Sequence, residues 1–216
     1  MSSATQTPAL SAEILAEAAK ISTSTIHEAA GRIGALPAAI KPIAPNMRIC
    51  GPAFPVKGPP LDNLWLHYAL DEAQPGDVIV ADVGRHYEGG YWGEVMTSGA
   101  VGRKLGGLVI DGCVRDGREL AEIGWPVFAR GLAMRGTLKD HTGDGAINVP
   151  LPFYDVLVSP GDLVLGDTDG VVVIPKDRVE DAIAASKARE AREADLMEKL
   201  KTGRSTVSIY GWKREK

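Results

Sequence analysis

The chain has 216 residues and a formal net charge of -4, with 44% hydrophobic and 24% charged residues. This length and composition are typical of a globular protein with one large domain, or one domain plus an arm, and an ordinary core. The negative charge argues against a nucleic-acid partner, and no apolar run approaches the roughly 20 residues of a membrane span. The opening residues MSSATQTPALSAE lack the regions of a secretory signal, so we expect a cytoplasmic protein with no membrane partner.

The first third of the chain predicts helices separated by one strand region. Ser11 is a candidate N-cap for a helix in SAEILAEAAKI, and STSTIHEAAGR predicts a second helix that ends near Gly31. Proline and glycine residues over 44–60 exclude a long helix there and indicate strand and turn. LDNLWLHYALDEA is again helical, and the QPGD that follows it predicts a turn.

The middle of the chain alternates between strands and helices, and strands then dominate. VIVADVG, GLVIDG and PVFARG are short apolar runs that predict strands, and GGYWGEVM leads from glycines into a helix. DLVLGDTDGVVVIP predicts two strands joined by a hairpin turn at Asp169 and Gly170. The pattern predicts a mixed α/β domain rather than a regular doubly wound fold.

A long polar helix is predicted near the end of the chain. Residues 177–202 are rich in Ala, Glu, Lys and Arg, and Gly203 is a natural stop. At 1.5 Å per residue such a helix is about 39 Å long, which exceeds the width of a small domain. A mostly polar helix of this length lies either in solvent or on a neighbouring subunit, and we favour the neighbouring subunit.

The cysteines and histidines do not form a recognisable metal site. Cys50 and Cys113 are isolated beside apolar residues, which favours reduced, buried thiols over a disulfide. The histidines lie far apart in the sequence and have no zinc-binding spacing: His27, His67, His86 and His141.

Two stretches could carry chemistry. In GGYWGEVM the glycines precede Glu94, and the free N–H groups of Val95 and Met96 at a helix start could bind an anion. On this stretch alone, a tight turn is the favoured interpretation. In IDGCVRDGREL, Arg115 and Asp116 follow a buried strand, where functional loop residues often lie. Asp116 with an acid three residues later also fits an acidic capping box, which needs no metal.

The spacing between these stretches resembles a family signature. Glu94, twenty residues, Arg115–Asp116, two residues and Glu119 resemble the acid–x20–Arg–Asp–x2–acid pattern of the RraA-like family. That family includes the 4-hydroxy-4-methyl-2-oxoglutarate/4-carboxy-4-hydroxy-2-oxoadipate aldolases. The resemblance covers nearly the whole chain, from STSTIHEAAGR to the terminal YGW. One departure is that the first acid is commonly Asp in the family and is Glu94 here.

The resemblance implies a fold and an assembly. We expect a compact mixed α/β sandwich of the swivelling β/β/α type, with residues 1–216 as a single domain. The family assembles as homotrimers or homohexamers with sites between subunits. This agrees with residues 177–216 as a C-terminal helical arm that contacts another subunit.

The resemblance also implies a metal-dependent site. Asp116 is expected to bind Mg²⁺ or Mn²⁺, which prefer oxygen ligands and retain water. The metal would act as a Lewis acid on the 2-oxo oxygen of a small 2-oxo acid, and Arg115 would stabilise the developing oxyanion without losing its proton. The expected substrate-binding residues are Gly93, Glu94, Val95, Met96 and Arg115.

The group that accepts the proton of the substrate hydroxyl is left open by the sequence. A metal-linked water is one candidate, and the side chains that could transfer protons or support the site are Glu28, His67, Glu119, Lys139 and Glu193, with Glu190 as the alternative to Glu193. Several of these are equally well explained as ordinary polar residues of helix surfaces. Lys139 raises a Schiff-base mechanism, against which the metal signature argues.

The implied function is that of a class II pyruvate aldolase. It would cleave 4-hydroxy-4-methyl-2-oxoglutarate or 4-carboxy-4-hydroxy-2-oxoadipate through pyruvate enolate, with oxaloacetate decarboxylation as a side activity. The alternatives are a dedicated oxaloacetate decarboxylase and a non-catalytic ribonuclease-inhibiting protein of the RraA type. Glu119 favours an enzyme, because the second acid of the signature marks the catalytic members.

Overall fold

The computed structural model of the protein describes residues 9–214, so the expectation about a signal in the opening residues lies largely outside the described part. The helices are α1 (Ala12–Ala18), α2 (Thr23–Ala29), α3 (Leu64–Glu72), α4 (Glu94–Gly102), α5 (Gly117–Ile123), α6 (Val179–Lys201) and α7 (Thr206–Tyr210). Within residues 9–214, no helix has both the length and the apolar character required to cross a membrane.

The strands follow the order that the sequence predicts, with several short additions. They are β1 (Lys41–Pro42), β2 (Ile49–Lys57), β3 (Val78–Asp82), β4 (Gly107–Asp111), β5 (Cys113–Val114), β6 (Val127–Ala129), β7 (Gly131–Leu132), β8 (Ala146–Ile147), β9 (Leu151–Phe153), β10 (Val156–Val158), β11 (Leu163–Asp167) and β12 (Gly170–Ile174). The predicted hairpin is confirmed, since Asp167 pairs with Gly170 across the β11–β12 turn.

One mixed sheet organises the domain, in the order β1-β6-β4-β3-β2-β11-β12, with β8 also on β2. Strands β2, β3, β4 and β6 are parallel neighbours, whereas β11 and β12 are antiparallel. The chain therefore forms the mixed α/β fold that the sequence predicts. The small pair β5–β7 lies outside this sheet, and Arg115 and Asp116 directly follow β5.

Strands β3 and β4 are apolar up to their terminal aspartates because both of their faces are buried. Ile79 and Ile110 belong to a core shared with α3, α4 and α5, whereas Val80 and Val109 belong to a second core. Parallel strands that are covered on both faces read as continuous apolar runs. A third core joins β11 and β12 to α1, α2 and α6.

Helix α6 confirms the predicted long helix but changes the boundary of the predicted arm. Its first turns belong to the domain itself, since Val179, Ala182, Ile183 and Ser186 are buried. These residues lie at spacings of three and four, which places them on one helix face. The part of α6 without buried residues therefore begins after Ser186 and not at residue 177, and ion pairs still join its first turn to α1 and α2.

The two cysteines are free, as expected. Cys113 is buried at the start of β5, whereas Cys50 on β2 is only partly buried. Burial raises the pKa of the Cys50 thiol to about 11, which keeps it protonated and unreactive near neutral pH.

Candidate active site

The glycine-rich segment before α4 runs beside β5. Tyr91 donates its backbone N–H to the Cys113 carbonyl at 3.0 Å, and Arg115 donates its backbone N–H to the Trp92 carbonyl at 2.8 Å. These two hydrogen bonds continue the small β5–β7 pair by one extended segment, residues 90–93. As a result, the start of α4 lies against the turn that follows β5.

Two buried aromatic side chains anchor this segment. The Trp92 indole donates to the Thr97 hydroxyl at 2.8 Å and stacks on Trp125 with ring centroids 5.7 Å apart. The Tyr91 hydroxyl accepts a hydrogen bond from the Leu61 N–H and donates to the His86 carbonyl. Large aromatic side chains contribute much buried area with few rotatable bonds, so residues 90–93 have little freedom to move.

Gly93 permits the close approach of two chain segments. A Cβ atom at this position would lie 2.3 Å from Asp116 Oδ2 and 3.0 Å from Arg115 Cγ. The Gly93 φ of -155° is extended backbone that any residue adopts, so space rather than conformation requires glycine. The tight-turn interpretation is therefore wrong, because this glycine brings α4 against Arg115 and Asp116.

Asp116 is not the helix cap that the capping-box interpretation predicts. It precedes α5 with a left-handed φ of 59°, and its side chain makes no capping hydrogen bond there. Its Oδ2 instead accepts the backbone N–H of Glu94 at 2.9 Å, at the start of α4. Glu119 does not reach back to complete a box and lies 3.4 Å from Arg118. The positive end of the α4 dipole is a favourable position for the Asp116 carboxylate.

A cavity of about 230 Å³ opens beside this junction, and we term it the glycine-loop cavity. Several residues singled out in the sequence line it together: His67, Gly93, Val95, Met96, Arg115 and Lys139. A neighbouring cleft of about 410 Å³ is lined by Arg115, Asp116, Leu132, Ala133 and Met134. Arg115 borders both spaces, and its side chain is 47% exposed. The guanidinium is therefore accessible to a ligand from either side.

The donors around the glycine-loop cavity favour an anion. The first N–H groups of a helix have no intrahelical acceptor. At the start of α4, the Glu94 N–H donates to Asp116, and the Thr97 N–H makes the first hydrogen bond to Gly93. The two amides between them, those of Val95 and Met96, are therefore left for a ligand. Arg115 and Lys139 add positive charge on the same lining. A small carboxylate would find hydrogen-bond donors and a favourable potential here.

His67 lies in the same cavity in an environment that favours its neutral form. Burial and then the positive charge of Lys139 lower the pKa of His67, while Asp62 acts in the opposite direction. A neutral imidazole has one ring nitrogen able to accept a proton. His67 can therefore serve as a proton acceptor near neutral pH.

The oxygen atoms near Arg115 suit a hard divalent cation that retains water. Asp116 Oδ2 is held by Glu94, while Oδ1 accepts no hydrogen bond from any residue in the range 9–214. No group of three or more His, Cys, Asp or Glu side chains in that range could enclose a metal. A single carboxylate with water and substrate is a common arrangement for Mg²⁺, and it does not suit a zinc cage.

Several predicted site residues lie elsewhere within this chain. Glu28 and Glu193 both form ion pairs with Arg189, the latter at 2.8 Å, and neither lines the glycine-loop cavity. Glu119 pairs with Arg118 on α5, and the Glu94 side chain is exposed at the start of α4. Their roles in the site, and that of Glu190, remain predictions.

Asn63 is a lining residue that sequence reasoning missed. It directly precedes α3, and its side-chain Nδ2 donates to the Tyr91 carbonyl at 2.9 Å. In the sequence, the stretch DNL predicts only the start of a helix. The contact with Tyr91 joins segments 28 residues apart, and no local pattern indicates it.

We expect Gly93→Ala to disrupt the Glu94–Asp116 contact, because the added Cβ would collide with Asp116 Oδ2. Hydrogen exchange of the Glu94 amide should accelerate roughly tenfold, as expected for the loss of one charge-assisted hydrogen bond. Gly102→Ala is the matched control, since a Cβ at the other end of α4 meets nothing within 4 Å. Unchanged exchange at Glu94 in Gly93→Ala would contradict this account of the junction.

We expect Lys139→Met to raise the pKa of His67, because one of the two influences that lower it is removed. The lowered pKa means that the unfolded chain binds this proton more readily than the folded protein does. The free energy of unfolding should therefore be unaffected by His67 above the ordinary pKa of 6.5 and should decrease as the pH falls below it. Lys139→Met should reduce that loss. NMR titration of the imidazole tests this, and an unaltered or lower pKa would refute it.

Comparison with known proteins identifies relatives over most of the chain. The family model described as "RraA-like: Aldolase/RraA" matches residues 18–173. A Halalkalibacterium halodurans protein named "Putative 4-hydroxy-4-methyl-2-oxoglutarate aldolase" is 37% identical over 171 residues, which cover 79% of this chain and 80% of that protein.

Solved structures share the fold. An uncharacterized protein from Pseudomonas syringae superposes with a TM-score of 0.81 at 28% identity and covers 95% of this chain and 96% of its own. Streptomyces coelicolor RraAS2, described as an unusual member of the RNase ES inhibitor RraA protein family, has a TM-score of 0.75 at 25% identity, over 88% of this chain and 98% of its own. The expected α/β sandwich is thereby confirmed, and the chain belongs to the RraA-like family.

Proposed function

We propose that this protein is a divalent-metal-dependent pyruvate aldolase. Its substrates would be 4-hydroxy-2-oxo acids such as 4-hydroxy-4-methyl-2-oxoglutarate and 4-carboxy-4-hydroxy-2-oxoadipate. Cleavage of the first gives two pyruvates, and cleavage of the second gives pyruvate and oxaloacetate. The observation that supports this most strongly is the junction of Arg115, Asp116 and the start of α4 beside one small cavity. The name of the H. halodurans relative supports the same reaction class.

The start of α4 would bind the pyruvyl end of the substrate. The Val95 and Met96 amides would donate to its carboxylate, and the Arg115 guanidinium would donate to the 2-oxo oxygen. Asp116 would hold Mg²⁺ or Mn²⁺ through the oxygen that Glu94 leaves free, and the bound ion supplies Lewis acidity at the 2-oxo group. Because a guanidinium group carries a positive charge and only donates hydrogen bonds, Arg115 would stabilise the enolate oxygen as it develops.

The cleavage step moves one proton and shifts three electron pairs. The C4 hydroxyl gives up its proton and becomes the carbonyl oxygen of the leaving product as the C3–C4 bond breaks. The electron pair of that bond forms the C2–C3 double bond, and the π pair of the C2 carbonyl moves to the 2-oxo oxygen, which gives pyruvate enolate. Proton return to C3 then completes pyruvate. His67, neutral and on the cavity lining, is the described side chain that we propose as the proton acceptor, directly or through water. Oxaloacetate decarboxylation would pass through the same enolate, with CO₂ leaving instead of a carbonyl compound.

A second candidate function comes from the similarity to RraAS2, whose description places it in a family of ribonuclease inhibitors. A binding protein of that kind would need no metal and would release no pyruvate. Assay of pyruvate release from oxaloacetate and from the two aldol substrates separates these functions. Inhibition of a ribonuclease without any pyruvate release would favour the second candidate.

We also propose that the protein acts as a homo-oligomer. Beyond Ser186, the segment that runs through α6 and α7 to Trp212 exposes apolar side chains that a neighbouring subunit could cover, namely Met197, Val207, Tyr210 and Trp212. Tyr210 and Trp212 stack with ring centroids 4.6 Å apart. In such an assembly, Glu193 on α6 could approach the site of a neighbour, as the family resemblance implies.

We expect activity to require a divalent metal at Asp116. Exhaustive chelation should reduce pyruvate release to background, and Mg²⁺ or Mn²⁺ should restore it. Asp116→Asn should lose the metal dependence with the activity, because an amide oxygen can still accept the Glu94 N–H but is a weaker metal ligand. Glu122→Gln, an exposed change on α5, is the control. Full activity after chelation, or borohydride trapping of pyruvate on Lys139, would contradict the metal role.

We expect Arg115→Ala to lower kcat for aldol cleavage by about 10²- to 10³-fold, as is typical when one donor to a developing oxyanion is lost. The free energy of unfolding should change by only about 0.5 kcal/mol, because the Arg115 side chain is half exposed. Arg118→Ala is the matched control, since Arg118 follows three residues later with a solvated side chain. Steady-state kinetics test this, and equal kcat values for both variants would refute the assignment.

We expect a chain ended after Ser186 to fold but to form a smaller assembly, because the buried turns of α6 are kept and the exposed apolar segment is removed. Circular dichroism and light scattering after size-exclusion chromatography measure the two properties. An unchanged assembly would eliminate the role of the C-terminal segment. Loss of the folded state would show that the domain needs more of α6 than its buried turns.

A further inference from the structure

Asn63 has a fixed orientation on the lining of the glycine-loop cavity. The side chain belongs to a residue that is only 7% exposed, and its Nδ2 donates to the Tyr91 carbonyl at 2.9 Å and contacts Met96 Sδ at 3.5 Å. Because a carbonyl oxygen can only accept, the atom that faces Tyr91 must be the amide nitrogen. The position of Asn63 Oδ1 is therefore determined as well.

The amide oxygen of Asn63 is an acceptor without a donor. Oδ1 is buried and receives no hydrogen bond from any residue in the described range 9–214. The residue occupies the N-cap position of α3, but its side chain makes no capping bond. Buried acceptors nearly always have a partner, and an unpaired one is costly. A donor that arrives with a ligand would account for this oxygen.

We propose that Asn63 Oδ1 accepts a hydrogen bond from the C4 hydroxyl of the bound substrate and so selects 4-hydroxy acids. This inference rests on the proposed aldolase function. The carboxylates and the 2-oxo group of such a substrate are acceptors, matched by Arg115, Lys139 and the amides at the start of α4. With both carboxylates ionised, the hydroxyl is the one donor that the substrate offers, and Asn63, a residue of the cavity lining, carries a buried oxygen that lacks a donor.

The proposal distinguishes two substrates of the same site. Oxaloacetate in its keto form has no hydroxyl and cannot donate a hydrogen bond to Asn63 Oδ1, whereas 4-hydroxy-4-methyl-2-oxoglutarate can. The hydrogen bond belongs to the substrate complex and is given up when the hydroxyl transfers its proton to the base. Its loss should therefore raise KM without lowering kcat. Asn63 thus distinguishes the two substrates in binding and not in the cleavage step.

The test compares KM and kcat for both substrates in the wild type and in Asn63→Ala, with metal present. KM for 4-hydroxy-4-methyl-2-oxoglutarate should rise about tenfold, the effect of one hydrogen bond, while kcat does not fall. KM for oxaloacetate should change by less than about twofold. Equal changes for the two substrates would indicate a merely structural role, and no change in either would also overturn the proposal.

A second measurement uses the wild-type protein and covers the case in which Asn63→Ala does not fold. The deoxy compound 4-methyl-2-oxoglutarate has the same carbon skeleton and no hydroxyl, so it can inhibit oxaloacetate turnover without being cleaved. Its inhibition constant should lie about tenfold above the KM of the hydroxylated substrate. Equal values would overturn the proposal. Failure of the proposed function itself is separate, because the wild type would then release pyruvate from neither substrate.

Discussion

The pairing of residues 90–93 with β5 determines where the groups of the candidate site lie. Two backbone hydrogen bonds, from Tyr91 to Cys113 and from Arg115 to Trp92, fix the register of the two segments. That register places Gly93 against Arg115 and Asp116, where a side chain larger than hydrogen would not fit. Without this contact the start of α4 and the Arg–Asp pair would be separate features. With it they form one surface, which we propose binds an anion and a cation together.

Charge is distributed over this surface in a way that suits a chelating acid. The Asp116 carboxylate occupies the first amide of α4 and leaves the next two, while Arg115 and Lys139 keep the adjoining cavity positive. A ligand with a carboxylate next to a carbonyl oxygen could therefore contact the two amides, the Arg115 guanidinium and a cation held by Asp116 at the same time. His67, which is partly buried and has a lowered pKa, would add a proton acceptor without adding charge. Val95 and Met134 border this region and are exposed, at 80% and 90%.

Much of the fold could be predicted from the sequence, because its signals are local or periodic. The apolar runs of β3 and β4, the β11–β12 turn and the polar C-terminal helix all follow from patterns within a few residues. The Glu94–Arg115–Asp116–Glu119 spacing indicated the site only through a family resemblance. Three features were predicted wrongly or missed, because they depend on contacts between residues far apart in the sequence. Asp116 accepts a hydrogen bond at the start of α4 and does not cap α5, and Asn63 donates to Tyr91 from another element. The first turns of α6 are buried because their apolar residues pack in the same core as α2.

The central claim is that the start of α4 and the Arg115–Asp116 pair bind one small 2-oxo acid together with a divalent cation. The most direct measurement is an NMR titration of the Val95, Met96 and Arg115 resonances with pyruvate in the presence and absence of Mg²⁺. Our account predicts saturable shifts at these three residues that require Mg²⁺ and vanish in Asp116→Asn. Shifts that ignore Mg²⁺, or that occur only at other surfaces such as the α6–α7 region, would contradict it.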